Sequence, residues 1–162
     1  MKQINPKHTD SLIQLINSSP YFELLSMKVR ELGACYSKIA IDMQKKHCNP
    51  FGMIHGGVYS SMIDAAAYLS VYCEIDENVG YTTLDLSVDF LSNIREGEII
   101  VEGKSIKTGK SVCLAEATAK DARGKLLAHG TSKLIILNDK QSFDLAVEVM
   151  GYRSLPPKFL IG

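Results

Sequence analysis

Residues 57–72 read as a helix with almost no polar face, because Val58, Met62, Ile63, Ala65, Ala66, Ala67, Leu69 and Val71 surround it. A helix apolar nearly all round is buried on most sides. The run falls short of the ~20 apolar residues that a membrane span needs. Something else in the chain must therefore wrap it.

The flanking sequence supplies that wrapper. Ile39, Ile41 and Met43 alternate with Lys38, Ala40 and Asp42, so 27–43 is expected to be extended. Leu84, Leu86, Val88 and Phe90 alternate with Asp85, Ser87 and Asp89, the period of a half-buried strand. Further strands are expected near 98–107, around Cys113-Leu114-Ala115, and near 125–137. Thr108-Gly109-Lys110 and Asp121-Ala122-Arg123-Gly124 mark tight turns between them. Tight turns between successive strands imply antiparallel pairing. The expected architecture is α+β, one long central helix in a curved antiparallel sheet. Before it, Leu12, Leu15 and Ile16 recur at helical spacing until Ser18-Ser19-Pro20, and a brief turn is expected at 21–25. After it, Phe143, Val147 and Met150 form one amphipathic face, and Pro156-Pro157 forbids helix beyond.

The chain has 162 residues, enough for one domain with a real core. Lysine plus arginine (18) balances aspartate plus glutamate (18), which gives no support for nucleic-acid or anionic-membrane binding. The expected partners are a small molecule and further copies of the chain. Cys35, Cys48, Cys73 and Cys113 show no C-x-x-C spacing, and the first ten residues lack the apolar core of a signal peptide. Reduced cysteines and a cytoplasmic location are expected.

Asp64 stands in the middle of the apolar helix. A buried, unpaired carboxylate costs several kcal/mol, so it needs a partner or a task. Desolvation would raise its pKa toward that of a general base or nucleophile. A structural aspartate bonded to Ser60, Ser61 or Tyr68 accounts for it equally well. Two turns earlier, His55-Gly56-Gly57 opens the helix. Its unpaired N–H groups would attract a developing oxyanion, and the glycines would admit a ligand to the backbone. A tight loop-to-helix turn is the plainer reading of the same glycines.

Asn49, His55-Gly56-Gly57 and Asp64 resemble, in residue type and spacing, the PaaI-type branch of the hotdog-fold thioesterases. The resemblance continues into Tyr81-Thr82-Thr83-Leu84-Asp85-Leu86-Ser87-Val88-Asp89-Phe90-Leu91 and covers roughly 20–137. It implies hydrolysis of an acyl-CoA thioester with no metal and no organic cofactor, coenzyme A being part of the substrate. It implies Asp64 as general base or nucleophile, and the Gly56 N–H as the donor that polarises the carbonyl. Asn49 would place the water or the carbonyl, and His55 would shape the loop and steady the leaving thiolate. Thr83 would hydrogen-bond the water or the acid, with Thr82 the alternative, and Gly57 would also touch substrate. The site would lie between two subunits of a dimer or a dimer of dimers. The implied division is a helical segment at 1–26, a hotdog domain at 27–138 and an extension at 139–162. Tyr68, Met62 and Phe90 are candidates for the acyl pocket.

Other signals are weaker. Gly103-Lys104-Ser105 and Gly109-Lys110-Ser111 mimic the end of a phosphate loop but lack its first glycine and its helix. His47, Cys48 and His55 fit no standard metal-ligand spacing. Ser60 and Ser61 lack a G-x-S-x-G frame, and Cys113 reads as a small core residue. Two other readings stand beside hydrolysis. One is a non-catalytic acyl-CoA-binding regulatory domain; the other is a hotdog hydratase or dehydratase.

Overall fold

A computed structural model describes residues 3–138 and 140–160. Helix α1 (Pro6–Asn17) starts where Asn5 accepts a hydrogen bond from the Lys7 N–H, and it is followed by the short α2 (Pro20–Leu25). Strands β1 (Lys28–Gly33) and β2 (Tyr36–Asp42) precede a 3-10 turn at Lys45–His47 and the long helix α3 (Gly56–Tyr72). Strands β3 (Tyr81–Phe90), β4 (Glu98–Thr108), β5 (Val112–Asp121) and β6 (Leu126–Ile136) follow, and α4 (Phe143–Val149) closes the chain.

The six strands form one antiparallel sheet in the order β1-β2-β4-β5-β6-β3. Helix α3 touches every one of them. Six strands spaced about 4.8 Å apart span about 24 Å, twice the width of a helix, so a flat sheet could not do this. The sheet must curve around α3, as the apolar helix demands. Met62, Ile63, Ala66, Ala67 and Val71 pack against Ile39, Val101, Ala115, Ala117 and Leu134, all of them buried. Contact is closest at Gly103, where a Cβ would collide with the Ala66 carbonyl and the Ser37 hydroxyl. Gly103 therefore serves helix–sheet packing, within a strand.

Three expectations need correction. The 27–43 stretch is a hairpin, turning at Ala34-Cys35 with Gly33 paired to Tyr36. Cys35 takes a left-handed φ of 55°, held by its N–H to Glu74 and its carbonyl to the Ser105 N–H. These are tertiary bonds that no turn-forming residue announces. The 21–25 turn is a full, if short, helix. Finally, the alternation of 84–90 holds only in its middle, where Leu86 and Val88 are half-buried against the core and Asp85, Ser87 and Asp89 are exposed. A bulge at Leu84 shifts the β3 register, and Leu84 and Phe90 are exposed.

That bulge has a use. Thr83 and Leu86 are three apart and would face opposite sides of a regular strand. The extra residue turns both toward α3.

Candidate active site

Asp64 is half-buried on α3, facing a cavity rather than the core. Its partner is none of the three neighbours considered above: the Thr83 hydroxyl donates to Asp64 Oδ1 at 2.8 Å. Ser61 instead donates to the Gly57 carbonyl, and Tyr68 donates to the Tyr81 carbonyl. Of the two threonines, Thr83 makes the contact with Asp64 and Thr82 does not. That bond holds one carboxylate oxygen in place on the cavity wall.

The loop before α3 is braced by its own polar groups. Asn49 Oδ1 accepts from the N–H groups of Phe51 (2.9 Å) and Met53 (3.2 Å), while its backbone N–H bonds the Met53 carbonyl at 2.7 Å. His55 is the N-cap of α3, its Nδ1 accepting from the Gly57 N–H at 2.8 Å. That bond makes Nδ1 an acceptor on a side chain that is otherwise exposed. It also occupies the Gly57 donor, which sequence reasoning had offered to substrate. Gly56, in the first turn of α3, has an N–H that donates to no acceptor among the described residues. The Phe90 ring lies against it, 3.2 Å from where a Cβ would stand, so only glycine fits there without movement.

His47, once weighed as a metal ligand, is buried with both ring nitrogens engaged. Nδ1 accepts from the Gln44 N–H, and Nε2 donates to the Leu25 carbonyl.

The cavity beside Asp64 has a volume of about 660 Å³. Tyr68 lines it, as expected, but Met62 lies in the core and Phe90 sits at the helix N-terminus. The remaining walls come from both ends of the chain: Leu15, Phe22 and Met27 on one side, Phe143 and Met150 on the other. No local pattern couples such distant segments, so sequence reasoning missed them. Tyr68 and Tyr81 stack at 4.1 Å and donate to each other's backbone carbonyls, fastening α3 to β3 behind the cavity. Burial pushes the Tyr68 phenol up to about 12, with the Asp64 charge adding to the effect.

Asp64 and Thr83 are therefore together, and Asn49, His55, Gly56 and Gly57 are together. The two groups are apart within one chain. Eight residues separate Gly56 from Asp64, or roughly 12 Å at a rise of about 1.5 Å each.

Known proteins share this plan. The thioesterase superfamily model matches residues 51–128. A candidate esterase of Saccharolobus solfataricus, SSO2140, is 29% identical over 74% of this chain and 84% of its own length. Human acyl-coenzyme A thioesterase 13 is 24% identical over 74% of this chain and 87% of its length. Among solved structures, the Haemophilus influenzae thioesterase HI1161 superposes with a TM-score of 0.78 at 18% identity, covering 87% of this chain and 98% of that one. With its sheet, its central helix and these structural neighbours, the chain has the hotdog fold, and over residues 51–128 it is similar to the thioesterase superfamily.

Proposed function

We propose that this protein hydrolyses an acyl-CoA thioester to the free acid and coenzyme A, as a PaaI-type enzyme. The observation that carries the reading is the Thr83–Asp64 pair on the wall of a mainly apolar cavity. Asp64 takes a proton from water while the water oxygen attacks the thioester carbonyl carbon. The Gly56 N–H donates to the oxygen that gains charge. The carbon–sulfur bond then breaks, and the coenzyme A thiolate leaves and is protonated. A direct attack by Asp64, through an anhydride that water cleaves, uses the same groups. Neither route calls for a metal or organic cofactor.

The substrate's reacting atoms occupy only about 3–3.5 Å, far less than the distance between the two groups. The helix N-terminus acting on a given Asp64 then belongs to a second subunit. Strand β3 ends the sheet with Leu84, Phe90 and Leu91 exposed, an edge that pairing with another copy would cover. We therefore read the molecule as a homodimer or a dimer of dimers. Its four free thiols fit the cytoplasm, and no helix among the described residues is long and apolar enough to cross a membrane.

The test is Asp64→Asn, assayed by release of free thiol from acyl-CoA substrates of varied length. Turnover should fall at least about a hundredfold with folding retained. A folded mutant with near-normal turnover removes Asp64 from the mechanism. A wild-type protein that binds acyl-CoA without releasing thiol is a binding module instead.

A further inference from the structure

The cavity beside Asp64 is walled partly by residues outside 51–128, and the last of these walls is α4. On α3, the lining residues Ser60, Ser61, Asp64, Ala65, Tyr68 and Leu69 form one stripe, about 13 Å long at about 1.5 Å per residue. Opposite it, Phe143, Ala146, Val149 and Met150 recur at helical spacing and turn one face of α4 to the cavity.

This helix is placed rather than embedded. It contains no fully buried residue. Phe143 meets the Tyr72 ring edge-on at 4.9 Å. Just before α4, the Lys140 carbonyl comes so close to Gly80 that no side chain would fit there. Just after it, the Tyr152 N–H returns to the Val147 carbonyl at 2.9 Å. Further on, Lys158 ties the tail to the end of α3, donating to the Tyr72 and Ile75 carbonyls at 2.7 and 2.8 Å. The segment is pinned at both ends across the cavity.

Apart from Ser60, the hydroxyls in the lining are already engaged. Ser61 and Tyr21 share a hydrogen bond and Ser61 also reaches Gly57; Ser19 donates to the Ile16 carbonyl and Tyr68 to that of Tyr81. An acyl group with polar substituents would find few partners there. An apolar chain loses nothing by entering.

We propose that α4 is the specificity wall of the acyl pocket, closing it around a straight, unsubstituted acyl chain of roughly six to eight carbons. Volume alone is permissive. With a methylene taking roughly the 30 Å³ share of a water molecule, about twenty would fit. Length is the tighter limit. Asp64 stands near the middle of the stripe, and the five residues from it to Leu69 span roughly 7.5 Å. An extended chain advances about 1.2 Å per bond, as polypeptide backbone does, so a straight run admits roughly six bonds. The proposal rests on the acyl-CoA hydrolase reading above, and its test separates the two.

Two α4 variants with opposite expectations, Ala146→Leu and Phe143→Ala, are assayed against straight-chain acyl-CoAs from two to sixteen carbons. For the wild type, kcat/KM should climb about fourfold per methylene until near eight carbons, then level off. Ala146→Leu fills the cavity and should lower kcat/KM for octanoyl-CoA at least tenfold more than for butyryl-CoA. Phe143→Ala should move the plateau to longer chains. A general folding defect cannot shift preference in both directions. Equal effects at every chain length, or no effect, would overturn the assignment. Binding is measured in parallel by calorimetry with octanoyl-CoA, each α4 change placed in the Asp64→Asn background, which holds substrate without turnover. If the wild type proves not to hydrolyse these thioesters, weaker octanoyl-CoA binding in Ala146→Leu still supports α4 as the wall. Unchanged binding there rejects it.

Discussion

Asn49 has two candidate tasks, and its two side-chain atoms separate them. Oδ1 holds the loop through the Phe51 and Met53 N–H groups, while among the described residues Nδ2 donates to nothing. Asn49→Asp keeps the acceptor and removes the donor; Asn49→Ala removes both. If Nδ2 serves the reaction, both variants lose activity tenfold or more, and only Asn49→Ala also lowers the melting temperature. Steady-state assays beside thermal melts decide it, and an active Asn49→Asp would confine Asn49 to the loop. Tyr68 gives a second prediction. Its phenol is pushed up to about 12 in the fold, against about 10 in the unfolded chain. Below pH 10 both states keep the proton and the buried phenol costs nothing extra. As pH rises from 10 to 12 the unfolded chain ionises first, so stability is lost across that window, by about 2–3 kcal/mol from this residue. Urea unfolding from pH 8 to 12 should show the fall, and Tyr68→Phe should make it shallower, the remainder coming from Tyr59, Tyr72 and Tyr81, whose phenols burial also pushes up. An equal slope in that variant would mean Tyr68 does not contribute.

Among elements, the C-terminal tail is the least local. Lys158 is 1% exposed, its ammonium 3.9 Å above the Tyr72 ring and bonded to carbonyls at the end of α3. A cation there also suits the negative end of the helix dipole. Its N–H bonds Glu77, its carbonyl takes the Asn5 N–H, and His8 links the Pro156 carbonyl to the Tyr72 hydroxyl. The two termini are thus sewn to each other and to α3. Lys158→Met keeps the apolar stem but leaves two buried carbonyls short of a donor. Stability should drop about 2–4 kcal/mol by chemical denaturation. Proteolysis should begin in the tail. A loss below about 0.5 kcal/mol would be the size of an ordinary surface change and would contradict the clamp.

For the whole molecule, the question is where the two halves of a site meet. Asn49→Ala and Asp64→Asn chains, each nearly inactive, can be unfolded, mixed and refolded together. In a heterodimer one site carries both defects and the other carries none. Random pairing restores about a quarter of wild-type activity, because half of the dimers are mixed and each has one working site. Heterodimers that form and stay inactive would place each site within one chain.

Local residue order is enough to place α3, its apolar surroundings, Asp64, the glycine turn before it, and the β4–β5 and β5–β6 hairpins. Each of these is written in neighbouring residues, by helical or alternating period or by turn-forming side chains. Tertiary structure decided what depends on distant segments meeting. Cys35 turns because Glu74 and Ser105 hold it, and Leu84 bulges outward so that Thr83 and Leu86 both face α3. Asp64 is paired nineteen residues away rather than one turn along its own helix. The cavity exists only because α1, α2 and α4 come together over α3. Periodicity records which face of an element is apolar. It does not record which other element will cover that face, because that choice is made by shape and register once the chain has closed on itself.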